Sequence, residues 1–200
     1  MRVRFCVQDT EISFSFWFFA ALTLFLALDT DGLAVVFLLP VLTHELGHLA
    51  AMWLFGVRIK SVGFSASGIS IQKADSLKTS YAKEIIVAVS GAAANLLCAL
   101  GLSFFMDYSE RVMFLIVANI AVAAFNMLPI GSLDGGSLTK LLAQRFFPQA
   151  IAFALSRVFS FLALVPLFAL AFFLALRPEH NFTLLAVAAY LAVDIIKSDW

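Results

Sequence analysis

Apolar residues gather along this chain in long runs separated by short polar stretches. Six runs, at about 13–28, 33–55, 84–106, 111–127, 150–176 and 182–197, are long enough to predict helices of bilayer dimensions. A hydrocarbon core takes roughly 20 residues of α-helix. The first, fourth and sixth runs are shorter, so they are expected to tilt, distort or shelter against their neighbours. One segment breaks the pattern. In "VRIKSVGFSASGISIQK" (57–73), Val57 and Ile59, then Ile69 and Ile71, alternate around a Gly/Ser-rich centre. Period-2 alternation flanking "SASG" (Ser65–Gly68) predicts a β-hairpin, with an irregular interfacial loop as the alternative. The expected fold class is an all-α polytopic membrane protein of about six transmembrane helices with a small cytoplasmic-side β-hairpin.

Composition agrees. Of 200 residues, 62% are hydrophobic and 13% charged, where soluble domains carry about a quarter charged. The net charge is zero, which gives no case for a nucleic-acid partner. No repeat, low-complexity tract or appended soluble segment interrupts residues 1–200, which read as a single integral membrane domain. The two cysteines, Cys6 and Cys98, do not make a disulfide framework. The basic start and apolar run of residues 1–28 imitate a secretory signal, but Ala27-Leu28-Asp29 is no small-x-small cleavage site, so the run is expected to be a retained span.

Lys and Arg set the orientation. With residue 1 inside, Arg2, Arg4, Arg58, Lys60, Lys73, Lys78, Lys83, Lys140, Arg145, Arg157 and Lys197 fall on or near one side. The other side receives Arg111 and Arg177, with Asp29, Asp31, Asp107, Glu110 and Glu179. Both termini are therefore expected in the cytoplasm.

Against this apolar background stands "VLTHELGHLAAMWLF" (41–55). Ionisable groups inside a bilayer are costly and usually functional. On a helix, positions i and i+4 share a face, so His44 and His48 can aim at one metal ion with Glu45 beside them as general base. This is the zinc-protease pattern, and buried structural histidines are the blander explanation. Counting from Phe55 at 1.5 Å per residue puts His48 roughly 10 Å inside the cytoplasmic end of its helix. Gly47, between the ligands, removes bulk where another helix or a substrate could approach.

A catalytic zinc takes a third protein ligand. The extended motif with a third histidine fails, because Ala51 and Leu54 occupy its last two positions. Glu84 is more simply explained as a charge favouring a helix N-terminus, and His180 falls on the opposite side. Asp134 remains, in "FNMLPIGSLDGGSLTK" (125–140), where Pro129, Gly131, Gly135 and Gly136 free the backbone from helix. Taken alone, it would be an ordinary turn aspartate.

With "HELGH" (44–48), "NMLPIGSLDGG" (126–136) and "SGAAANLL" (90–97) in this order, the chain resembles the site-2 protease family of intramembrane zinc metalloproteases. It is most similar to the compact bacterial branch of the sporulation-protease type, without a PDZ or cystathionine-synthase-like domain. The resemblance covers a catalytic core of about 33–145 and matches the flanking helices, about 13–28 and 150–197, only in kind. It implies Zn2+ held by His44, His48 and Asp134, with Glu45 as catalytic base. It further implies a site within a bacterial cell membrane, toward the cytoplasmic side, and hydrolysis of a peptide bond in or near a transmembrane segment of a protein substrate. Asn95 and Asn126 match positions that the family places near the catalytic centre. An amide there can hold an unwound substrate strand or donate to an oxyanion, or serve as helix–helix glue, as for Asn119. The chain departs from the family at Ala92, where proline is usual, and at Gly131-Ser132, which replace a proline-rich stretch.

Two other classes compete. A metal transporter needs polar groups on both sides of its site, and "LAVVFLLP" (33–40) offers none. A catalytically inactive membrane scaffold would be expected to lack the glutamate or a ligand, and here all are present.

Overall fold

The computed structural model of the chain describes residues 2–7, 10–27, 29, 34–65, 68–73, 80–105, 109–177 and 182–197. Lys78, Asp31, Asp107 and Glu179, used above to orient the chain, and His180, set aside there as a third ligand, lie outside them. The described residues form two compact units, 1–123 and 124–200.

In the first unit, strands β1 (Arg2–Val7), β2 (Thr10–Ser15), β3 (Ile59–Ser65) and β4 (Gly68–Lys73) make one sheet in that order. The predicted hairpin is there as β3 and β4, antiparallel with Ser65 opposite Gly68. It is half of the sheet. Residues 2–15 supply a second hairpin, and β2 runs parallel to β3, Phe14 opposite Phe64. The register places Val3, Phe5, Ile12, Phe14, Val62 and Phe64 on one face. There Phe14 stacks on Phe64 at 4.6 Å between centroids, and Phe18 of α1 (Phe16–Ala27) meets Phe64 edge-on. Arg4 and Glu11 pair at 3.4 Å on the opposite face. The first apolar run is thereby shortened. Residues 13–15 belong to β2, and 12 helical residues reach only about 18 Å.

Helices α2 (Ala34–Leu54) and α3 (Tyr81–Ser103) pack together in this unit, followed by α4 (Glu110–Asn126). Helix α2 ends at Gly56, whose φ of +64° suits glycine. Val57 N–H donates to the Met52 carbonyl and Gly56 N–H to that of Trp53, the paired bonds of a Schellman motif. Val57 and Met52 meet in the apolar cluster that accompanies it, with Ala51 and Val87. This stop turns the chain into β3 within five residues of the end of α2. Val57, expected in the hairpin, serves the cap.

The second unit holds α5 (Asp134–Phe146), α6 (Gln149–Ala175) and α7 (Thr183–Lys197). Helix α5 was not foreseen, because its glycine pair reads as loop. Its Asp134 in the first turn and Arg145 in the last both suit the helix dipole. Ile130, fully buried, anchors the preceding turn against Leu164, Leu191 and Ile195.

Helices thus stand at all six apolar runs, and among the described residues three segments, Val36–Leu54, Tyr81–Ser103 and Gln149–Ala175, are long and apolar enough to cross a membrane. Helices α1, α4 and α7, with 12, 17 and 15 residues, fall short by length.

Ile130→Ala should leave a cavity under the turn that leads into α5. The expected cost is about 2–5 kcal/mol, read as a lower unfolding temperature in detergent. An unchanged temperature would mean that the turn is not anchored there.

Candidate metal centre

Helix α2 sets His44 and His48 one turn apart, and both are buried. Burial comes from α3, which approaches closely because both helices carry glycine at the contact. A Cβ on Gly47 would lie 2.6 Å from the Ser90 carbonyl oxygen and from the Ala94 Cβ. One on Gly91 would lie 2.5 Å from His48 Nε2 and 2.8 Å from His44 Nε2. The expectation that Gly47 and "SGAAAN" permit close approach is met, and Gly91 forms a wall of bare backbone beside the imidazoles.

Each imidazole is turned by its Nδ1. His48 Nδ1 lies 2.7 Å from the Val87 carbonyl oxygen, to which Ser90 Oγ also donates at 2.7 Å. His44 Nδ1 lies 2.8 Å from Asn95 Oδ1. Carbonyl and amide oxygens only accept, so both histidines carry hydrogen on Nδ1. The two Nε2 atoms are 3.2 Å apart. With Nδ1 of each ring turned to an acceptor, both Nε2 atoms face one point from which a single cation can be held, and metal-ligating histidines commonly have their other nitrogen tied to an acceptor in this way. The donor set therefore fits a divalent metal. Glu45, adjacent to His44, is half-buried.

In the second unit Asp134 is the first residue of α5, half-buried, after an extended Leu133. The turn before it is held by Leu133 N–H to the Ile130 carbonyl at 2.8 Å, and by Gly131 N–H to Ser160 Oγ at 3.1 Å. A Cβ on Gly135 would strike the Met127 carbonyl oxygen, and one on Gly136 that of Ile130. The glycine pair lets the turn fold back over the start of α5 and fixes where Asp134 begins. Asn126 closes α4 and is half-buried. Glu84 lies in the first turn of α3, as its sequence position suggested. His44 and His48 of the first unit and Asp134 of the second are each placed by their own unit's packing.

Asn119, expected to serve as helix–helix glue, is 1% exposed and does join two helices. It accepts from Asn95 across the α3–α4 contact at 2.9 Å. Only the tertiary contact reveals this.

Gly91→Ala is predicted to close the space at the two Nε2 atoms. Metal content of the purified protein should fall at least tenfold by an order-of-magnitude reckoning, while helix content by circular dichroism holds, since alanine favours helix. Retained metal would show that the backbone of α3 does not border the site.

No known protein-family model matches the chain, and no curated protein matches it in sequence. Among solved structures it is similar to the site-2 protease from Methanocaldococcus jannaschii, with a TM-score of 0.71 and 15% identity. The likeness covers 100% of this chain and 96% of that one. At such an identity the likeness is one of architecture, and along its whole length this chain has the fold of a site-2 protease.

Proposed function

We propose that the chain is an intramembrane zinc metalloprotease that hydrolyses a peptide bond in or near a transmembrane segment of a membrane protein. The observation that carries this reading is the pair of Nδ1-tethered histidines whose Nε2 atoms converge at 3.2 Å on a helix apolar enough to span. Asp134 is the third ligand. In support, it is a half-buried carboxylate at the start of α5, fixed there by the glycine pair that follows it. Two imidazoles and a carboxylate suit a catalytic zinc, which keeps a fourth position open.

A zinc ion there would act as Lewis acid toward the scissile carbonyl and stabilise negative charge on its oxygen. Glu45 takes a proton from the attacking water as the C–O bond forms. It returns that proton to the amide nitrogen as the C–N bond breaks, releasing a carboxylic acid and an amine. Asn126 is the candidate for holding the substrate strand, whereas Asn95, fully buried, has its amide engaged within the helix bundle. A helical substrate must first unwind, because its carbonyls are otherwise bonded within the helix. The extended strand then adds to the sheet through β4, an edge strand, since β3 is flanked by β2 and β4. The six-span topology, with residues 1 and 200 on the cytoplasmic side of a bacterial membrane, belongs to the same proposal.

Glu45→Gln should abolish cleavage of a membrane-protein substrate in proteoliposomes, by at least 10²-fold on the usual scale for a lost general base, with metal retained. Undiminished cleavage would remove Glu45 from the chemistry. Ser70→Pro in β4 should slow cleavage and spare metal binding, and equal turnover would take the sheet edge out of substrate recognition. Metal-dependent ion uptake into vesicles, without proteolysis, would instead favour a transporter.

A further inference from the structure

We propose that Asn95 and Asn119 are positioning residues, a two-amide relay that locks His44 in its Nδ1–H tautomer and so presents Nε2 to the metal. The inference rests on the proposed metal centre for its purpose, but its geometry lies wholly within the first unit.

The relay is fixed at both ends by groups that can only accept. Asn119 Nδ2 donates to the Leu115 carbonyl at 2.8 Å, one turn back on α4. That carbonyl has no hydrogen, so the Asn119 atom facing it must be the NH2 nitrogen and its Oδ1 must point the other way. Asn119 Oδ1 then accepts from Asn95 Nδ2 at 2.9 Å. The second Nδ2 hydrogen of Asn95 goes to the Pro40 carbonyl at 2.8 Å, another acceptor without a hydrogen. Two acceptors thus determine which end of the Asn95 amide faces them, and Oδ1 is left toward His44 Nδ1 at 2.8 Å. An amide flip at Asn95 would oppose oxygen to oxygen at Pro40 and at Asn119, and would turn an NH2 group toward His44. That nitrogen would draw the imidazole into the opposite tautomer, with the hydrogen on Nε2, where a metal cannot bind.

Burial makes the arrangement consequential. Asn95 and Asn119 are 0% and 1% exposed, so water cannot substitute for a missing partner. Both Asn95 donors are engaged, and its oxygen faces a ligand. This assigns the residue an effect through His44 in place of direct contact with substrate. Pro40 sits one turn before His44 on α2, so the same helix that carries the ligand supplies the carbonyl that orients its partner.

The test is Asn119→Ser in the full-length protein in detergent micelles. A serine hydroxyl can satisfy the Leu115 carbonyl one turn back but is too short to reach Asn95. Two quantities are read: the imidazole 15N shifts of the metal-free protein, with His44 assigned by His44→Gln, and the zinc dissociation constant by chelator competition. The relay predicts one Nδ1–H tautomer for His44 in the parent, and a mixed or Nε2–H population in the variant. It predicts zinc affinity weaker by roughly 10–100-fold, the usual effect of removing a partner of a metal-ligating histidine. Asn119→Leu, with the same number and branching of side-chain heavy atoms but no polar group, repeats the measurement should the serine variant not fold. Simple helix glue predicts a lower unfolding temperature with tautomer and affinity unchanged, and that result in either variant overturns the relay. Parent protein with the Nδ1–H tautomer but no zinc binding would overturn the metal centre and leave the relay standing.

Discussion

The structure around α2 depends on one geometric constraint: two imidazoles turned so that their Nε2 atoms lie 3.2 Å apart in an apolar bundle. Each ring is tethered at Nδ1 to an acceptor fixed by backbone, Val87 directly and Asn95 through Pro40. The tethers in turn require α3 to lie close enough for residues 87, 91 and 95 to reach α2. That closeness exists because Gly47 and Gly91 carry no side chains. Small residues commonly permit close helix contact in membranes. Here they also let the polar groups of two apolar helices meet.

A bilayer supplies no water to satisfy polar groups, so irregular backbone needs protein partners. The turn before α5 meets that demand differently from the histidine pair. Its amides bond to carbonyls within the turn and to Ser160 of α6, while Ile130 fills the apolar space beneath. Glycines 135 and 136 let the turn's own carbonyls press on the helix that Asp134 opens. In both units, then, a donor side chain is positioned by exhausting the alternatives open to its surroundings.

Much of this was legible because it is local. The four-residue spacing of His44 and His48 fixes a shared face whatever the tertiary fold. Alternation in 57–73, with its Gly/Ser centre, located a hairpin whose register the sheet reproduces at Ser65 and Gly68. Other parts depended on distant pairing. The alternation of Val3, Phe5, Ile12 and Phe14 was present in the sequence, but Phe14 fell within the apolar run at about 13–28 and the basic stretch before it resembled the flank of that run. Only the parallel partner fifty residues away, Ser61–Phe64 opposite Glu11–Phe14, makes them part of a larger sheet. Helix α5 was hidden because glycine is a poor helix former, and the reason for two of them is steric contact with residues 127–130. Asn119 looked like any polar residue in an apolar helix, since its partner is brought to it by folding.

The most direct measurement is X-ray absorption at the zinc edge of the loaded, detergent-purified protein. Two imidazole nitrogens and carboxylate oxygen at about 2.0–2.2 Å, with no sulfur, are the result this account predicts. A spectrum lacking imidazole scattering, or showing a sulfur shell near about 2.3 Å, would contradict the assignment of His44, His48 and Asp134 as the ligands.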